Sequence, residues 1–327
     1  MLGAQRTPYL RAGEWQLGTS LRWLDSYRHF AGTVEQTQRA DRKNNVVNRQ
    51  RIWDVSGTYA LNQQCSLTLS VPVLLHGSWS IPLPINPAPG PRYRQDSSGL
   101  GDITLTARYW LLSCRKHTRE NIGVGLGIKA PTGDPHVEDD FPDIDGKNLR
   151  KRAVDQSIQP GDGGWGIVFD IQTFKIIGTT TWFFSGTYLA NPKDVNGTPS
   201  IVSVLRNGVL APADEYRRYN SVPDQYVVRA GMAFPLEFAE GWSMSLAWRA
   251  EGVPRNDVFG SSNGFRRPGY ATFVEPGLIY SRGSEVWSLT TPVTLLRNRI
   301  EDSKGREGDA TFADYFLLFG YQKRFGR

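Results

Sequence analysis

The stretch GLGDITLTARYWLL (residues 99–112) decides the fold, because Ile103, Leu105, Ala107, Tyr109 and Leu111 alternate with Asp102, Thr104, Thr106, Arg108 and Trp110. Strict alternation describes a strand with one apolar and one polar face. The question is whether the apolar face meets a protein core or lipid. Other segments repeat the pattern. Trp15, Leu17, Leu21 and Trp23 oppose Gln16, Gly18, Ser20 and Arg22, and Ile122, Val124, Leu126 and Ile128 oppose Gly123, Gly125, Gly127 and Lys129. Trp242, Met244, Leu246 and Trp248 oppose Ser243, Ser245, Ala247 and Arg249. Polar faces this small and wet do not build a core. They predict apolar faces turned to lipid and polar faces turned to a lumen; backbone groups in lipid need internal partners, so the strands must close.

Twelve alternating segments are found, near residues 14–24, 51–61, 65–75, 102–113, 121–131, 164–174, 180–190, 225–235, 241–252, 270–281, 285–296 and 312–325. An even number is what single-chain outer-membrane barrels require. The connections sort by length. Residues 25–50, 76–101, 132–163, 191–224, 253–269 and 297–311 are long, whereas NQQ, CRKHTRE, KIIGT, LEFAEG and RGS are short. Short turns on one rim and long loops on the other are the pattern of an outer-membrane barrel with both termini periplasmic. The expected fold is an all-β, 12-stranded antiparallel transmembrane β-barrel over residues 14–327, preceded by an N-terminal periplasmic segment, residues 1–13. Pro72 and Pro292 each remove a ladder hydrogen bond, so bulges or strand ends are expected there.

Composition agrees. Ten Trp, thirteen Tyr, fifteen Phe and thirty-four Gly suit strands, turns and aromatic belts, and no apolar run approaches the roughly 20 residues of a spanning helix. Trp15, Trp182, Trp242, Trp287, Tyr59, Tyr280 and Tyr321 fall at short-turn ends and predict a periplasmic girdle. The start of the chain has no basic n-region or apolar h-region, so an exported protein would be present here as its mature or truncated form. The net charge of +6 comes from 29 Arg and 9 Lys that are scattered rather than clustered, which argues against nucleic acid as a partner.

The last strand, FADYFLLFGYQKRF, places Tyr315, Leu317, Phe319, Tyr321 and Phe325 on one face. It resembles the C-terminal signal that outer-membrane barrels present to the barrel assembly machinery, although here Gly326 and Arg327 follow the Phe. SGLGDITLTARYWLL (98–112), GVGLGIKAPTGD (123–134), SVPDQY (221–226) and VEPGLIY (274–280) resemble the family of outer-membrane transporter-like barrels named after the meta-pathway of phenol degradation. The resemblance covers most of the chain from about residue 50 onward. It implies the barrel fold and passage of hydrophobic or aromatic compounds, with no catalytic chemistry.

Uninterrupted alternation assigns to the lumen Arg22, Arg108, Lys129, Arg229, Arg249 and Arg324 with Asp54, Asp170, Glu251, Glu275 and Asp314. Six positive and five negative charges nearly balance, which predicts internal pairing and a narrow or neutral-solute lumen. Cys65 and Cys114 fall on neighbouring strands at one rim, where an oxidising periplasm would permit a disulfide. Counting places them facing opposite ways, so free thiols are the alternative. In HVEDDFPDIDGK (136–147), Asp140, Asp143 and Asp145 form a candidate weak Ca²⁺ site, but the EF-hand spacing is not met; a solvated acidic loop is the preferred reading. Arg28, Arg39, Arg42, Lys43, Arg49 and Arg51 are candidates for phosphates of lipopolysaccharide.

Catalysis is not expected. GSSNG (260–264) matches G-x-S-x-G without a strand-to-helix elbow, and His29, His76, His117 and His136 lack metal-ligand spacing. The functional expectation is a passive channel or uptake barrel of the bacterial outer membrane for small apolar, aromatic or neutral compounds, needing no cofactor. The alternative is a structural barrel with a blocked lumen whose loops bind a surface partner. An outer-membrane phospholipase using His76 near Ser78 ranks below both, as does a soluble β-rich binding protein.

Overall fold

Every one of the twelve alternating segments forms a strand in the computed structural model, which describes residues 9–85 and 88–326. The barrel strands are β1 (Trp15–Ser26), β2 (Val47–Ala60), β3 (Cys65–Pro82), β4 (Ile103–Trp110), β5 (Glu120–Ala130) and β6 (Gly166–Ile177). They continue with β7 (Thr180–Ala190), β8 (Gln225–Pro235), β9 (Trp242–Val253), β10 (Gly269–Arg282), β11 (Glu285–Thr290, resumed as Val293–Arg299) and β12 (Phe316–Phe325). Each pairs antiparallel with its sequence neighbours. β1 and β12 close the ring, in register from Trp15 opposite Phe325 to Leu24 opposite Phe316. Closure leaves no sheet edge, which is the requirement of a wall in lipid.

The outward face is apolar as expected: Leu105, Leu126, Ile128, Trp182, Trp248, Leu278 and Phe319 are all exposed. The girdle aromatics pack in two groups. Tyr280 lies 4.9 Å from Trp242 and 5.6 Å from Trp287, whose ring is 5.3 Å from Tyr321, and Trp15 packs 4.6 Å from Tyr59.

The expected break occurs at Pro292, whereas β3 runs unbroken through Pro72, which stays in register opposite Asp54. Pro292 interrupts β11, and Pro72 stands beside Gly101, whose N–H donates to the Pro72 carbonyl where the ladder of Arg92–Leu100 gives way to β4.

The long connections do not stay open. β3 runs past the wall with Arg92–Leu100 beside it, Glu138–Phe141 pairs with Arg150–Ala153, and Val195–Pro199 pairs with Tyr219–Ser221. A short helix, Ile201–Leu205, is capped by the Ser200 side chain. Trp79, Leu83, Phe141, Ile158, Val204 and Phe265 then form a buried core of their own, so the loops make a folded cap over the barrel.

Candidate functional site in the lumen

Inward-facing residues build two chambers that meet at Thr187. The outer, under the cap, has a volume of about 580 Å³ and is walled mainly by Leu24, Leu189, Tyr226, Tyr270, Phe273, Phe312 and Phe316. The inner is about 350 Å³ and is polar, lined by Gln16, Thr58, Arg108, Asp170, Gln172, Arg229, Ser245 and Gln322. Apolar residues at inward positions of the long-loop half thus face polar ones in the short-turn half.

A ladder of charges borders the outer chamber. Arg22 of β1 reaches Glu251 of β9 at 2.9 Å, Arg249 donates to Glu251 at 2.6 Å and lies 3.6 Å from Glu275, and Arg229 closes on the other oxygen of Glu275. The Glu275 side chain is fully buried, and Arg22 also stacks 4.5 Å over Phe316. In the inner chamber Arg108 pairs with Asp170 at 2.5 Å across β5. β5 allows this because it is glycine there: a Cβ at Gly125 would lie 3.0 Å from the Asp170 Cβ. Asp54 accepts only a long 3.4 Å bond from Ser20.

Aromatic residues narrow the short-turn mouth. Tyr9 packs edge-on to Trp110 and Phe174 at ring distances of 5.3 and 5.8 Å, donates to the His117 carbonyl and accepts from Asn121. Leu10 borders the inner chamber. Of the expected N-terminal segment, residues 1–8 lie outside the described residues, and Tyr9 onward turns in beneath the barrel.

Of the expected lumen residues, Arg22, Arg108, Asp170, Arg229, Arg249 and Glu251 line the chambers, and Asp54 lines a smaller side cavity beside β1 and β12; Glu275 sits beneath the ladder. Three are placed differently. Lys129 points inward but is buried between Asp102 and Asp162, walled off from the chambers. Asp314 precedes β12, where the break at Pro292 ends regular alternation; it joins Tyr27, Arg28 and Arg297 at the long-loop rim. Arg324 sits at the short-turn mouth, 3.3 Å from Gln16.

The disulfide is absent: Cys65 and Cys114 are free thiols. Cys65 shares the face of exposed Leu69 in β3, whereas Cys114 is buried with Trp110 and Phe174, its S–H directed at the Gln63 carbonyl. The Ca²⁺ site does not assemble, and no group of three metal-capable side chains occurs among the described residues. Strand pairing gives the acids cations of their own: Asp140 stands opposite Lys151, and Asp143 is held by Arg152 and Asn148, while Asp145 caps a turn at Lys147. The loop arginines are largely paired too, Arg28 with Glu35, Arg39 with Asp309, and Arg51 with Asp25.

What alternation missed are the aromatics on inward positions. Trp110 and Phe174 sit on otherwise polar faces at the short-turn end, a mismatch that marks the narrowing, and Phe273 and Phe316 do so in the outer half.

This geometry defines an outer-membrane-type β-barrel with a capped, two-chambered lumen. Among solved structures, an outer membrane channel from Pseudomonas putida F1 shares the fold, with a TM-score of 0.64 at 13% identity over 99% of this chain and 100% of that one. A toluene transporter from Ralstonia pickettii (TM-score 0.44, 11% identity, 97% of this chain and 90% of that one) and a FadL homologue from Pseudomonas aeruginosa (0.45, 10%, 96% and 90%) are looser likenesses that carry no argument. No family model and no curated protein matches the chain.

Proposed function

We propose that the protein is a passive uptake barrel of the bacterial outer membrane for small apolar or aromatic solutes. The observation that carries this reading is the outer chamber. Its volume of about 580 Å³ falls in the range of small-molecule sites, and aromatic and aliphatic side chains make up most of its wall, with Arg22, Arg249, Glu251 and Arg267 as its charged groups. Burying the apolar surface of a one-ring solute there is favourable by about 25 cal/mol per Å². No energy source or cofactor enters the account. Its other partners on this reading are outer-leaflet lipid, with lipopolysaccharide phosphate at exposed Arg42 and Lys43, and the assembly machinery through β12.

The capped loops and the mouth narrowed at Tyr9 favour a second reading, a structural barrel with a blocked lumen. Planar-bilayer conductance of the refolded protein separates the two. The uptake reading expects a small steady conductance through the narrowed mouth that a neutral one-ring aromatic blocks in the native barrel and not in Phe316→Arg. Silence after confirmed insertion favours the structural barrel.

A further inference from the structure

A third cavity, of about 280 Å³, lies within the cap and adjoins the outer chamber, since Asn48, Ser157, Arg267, Ala310 and Thr311 line both. Its wall carries Arg217, Arg299 and Arg306 as well as the carboxylates Asp302, Glu307 and Asp309. The charges around it are unevenly matched. Arg267 has Asp155, and Asp309 has Arg39. Arg217 and Arg306, with Arg206, all converge on the one carboxylate of Asp214. Asp302 is taken by the Tyr216 hydroxyl and by the backbone N–H groups of Lys304 and Arg306.

Arg299 is the odd one out. Only 7% exposed, it ion-pairs with no carboxylate among the described residues, and its guanidinium donates to the backbone oxygens of Pro268 at 2.7 Å, Ile300 and Arg266. Its Nε is buried without a partner. Asp302 and Asp309 lie near enough to act on it without touching it, and a buried cation with no carboxylate in contact is costly.

We propose that this cavity is an anion subsite, and that the barrel takes solutes joining a small apolar body to a single carboxylate. The carboxylate sits between Arg299 and Arg306, and the body extends past Ala310 and Thr311, which line both cavities, into the outer chamber. Guanidinium groups match a carboxylate in geometry and charge. Asp302, Glu307 and Asp309 on the same wall repel a doubly charged anion more than a singly charged one, which disfavours the phosphate dianion. The adjoining apolar chamber selects an anion that has a body. This inference rests on the uptake reading for its route, while the binding it states is separable from transport.

Calorimetry on the detergent-solubilised full chain tests it, titrating benzoate, benzyl alcohol and inorganic phosphate into the native protein, Arg299→Gln and Arg306→Gln. Benzoate is expected to bind roughly tenfold or more tightly than benzyl alcohol, and that ratio to fall towards one in each variant. Arg306, more exposed, serves where Arg299→Gln fails to fold. Equal binding of benzoate and benzyl alcohol, or a ratio that survives both substitutions, overturns the subsite. Phosphate binding as tightly as benzoate overturns the selection of a bodied monoanion. Because binding is read directly, a barrel that binds benzoate as predicted yet conducts nothing contradicts the uptake reading and leaves the subsite standing.

Discussion

At the scale of single residues, the lumen is governed by shared counter-ions. Glu275 serves both Arg229 and Arg249 from a fully buried position, so Glu275→Gln strands the Arg229 guanidinium and leaves Arg249 with Glu251 alone. Breaking a buried pair this way costs about 3 kcal/mol, and the urea midpoint of the detergent-solubilised barrel is expected to fall accordingly. An unchanged midpoint means that solvent in the lumen already screens the ladder. In the cap, burial alone would raise the pKa of Asp155, but Arg267 and the Ser157 N–H and O–H outweigh it and hold the carboxyl below its ordinary value. A folded pKa below the unfolded one stabilises fully above the unfolded value of about 4 and is lost as pH falls through the folded value. Asp309, held low against the effect of burial by His29 and Arg39, acts in the same direction. Hydrogen-exchange protection of the cap is therefore expected to drop below about pH 4 while the barrel strands stay protected. Protection lost from cap and barrel together contradicts this.

At the scale of elements, β5 shows why residue types follow geometry. Its outward face is Ile122, Val124, Leu126 and Ile128, and its inward face is three glycines because Trp110, the Arg108–Asp170 pair and Thr106 lie across it. A Cβ at Gly125 would also stand 3.3 Å from the Thr106 Cγ2, so Gly125→Val displaces the ion pair. The expected loss is about 1–3 kcal/mol, read as a lowered thermal midpoint. Tyr9 is the counterpart at the mouth. Tyr9→Ala removes two hydrogen bonds and both ring contacts, and is expected to raise single-channel conductance; no change means the constriction lies elsewhere. The strands were legible because a period of two survives in any twelve-residue window. The lumen assignments were legible only where alternation continues, as for Arg22 and Arg249. They failed at Asp314, where Pro292 breaks the wall, and at Lys129, because no period announces that Asp102 and Asp162 will fold over it.

At the scale of the whole molecule, the closed twelve-stranded wall was legible, because alternating strands with one face in lipid must pair all round. The cap was not legible. Its core draws Trp79, Phe141, Val204 and Phe265 from four separate connections, and long-range packing of irregular segments leaves no local pattern. The chambers depend on that cap, so the division of the lumen into apolar and polar halves appeared only in three dimensions. The central claim is that apolar solute moves through this barrel down its gradient. The most direct test is the initial rate at which a labelled neutral one-ring aromatic enters vesicles whose outer leaflet is lipopolysaccharide, with and without the inserted protein. A passive uptake barrel gives a faster rate that saturates with solute concentration and needs no energy source. A rate equal to that of protein-free vesicles, with insertion verified, would contradict it.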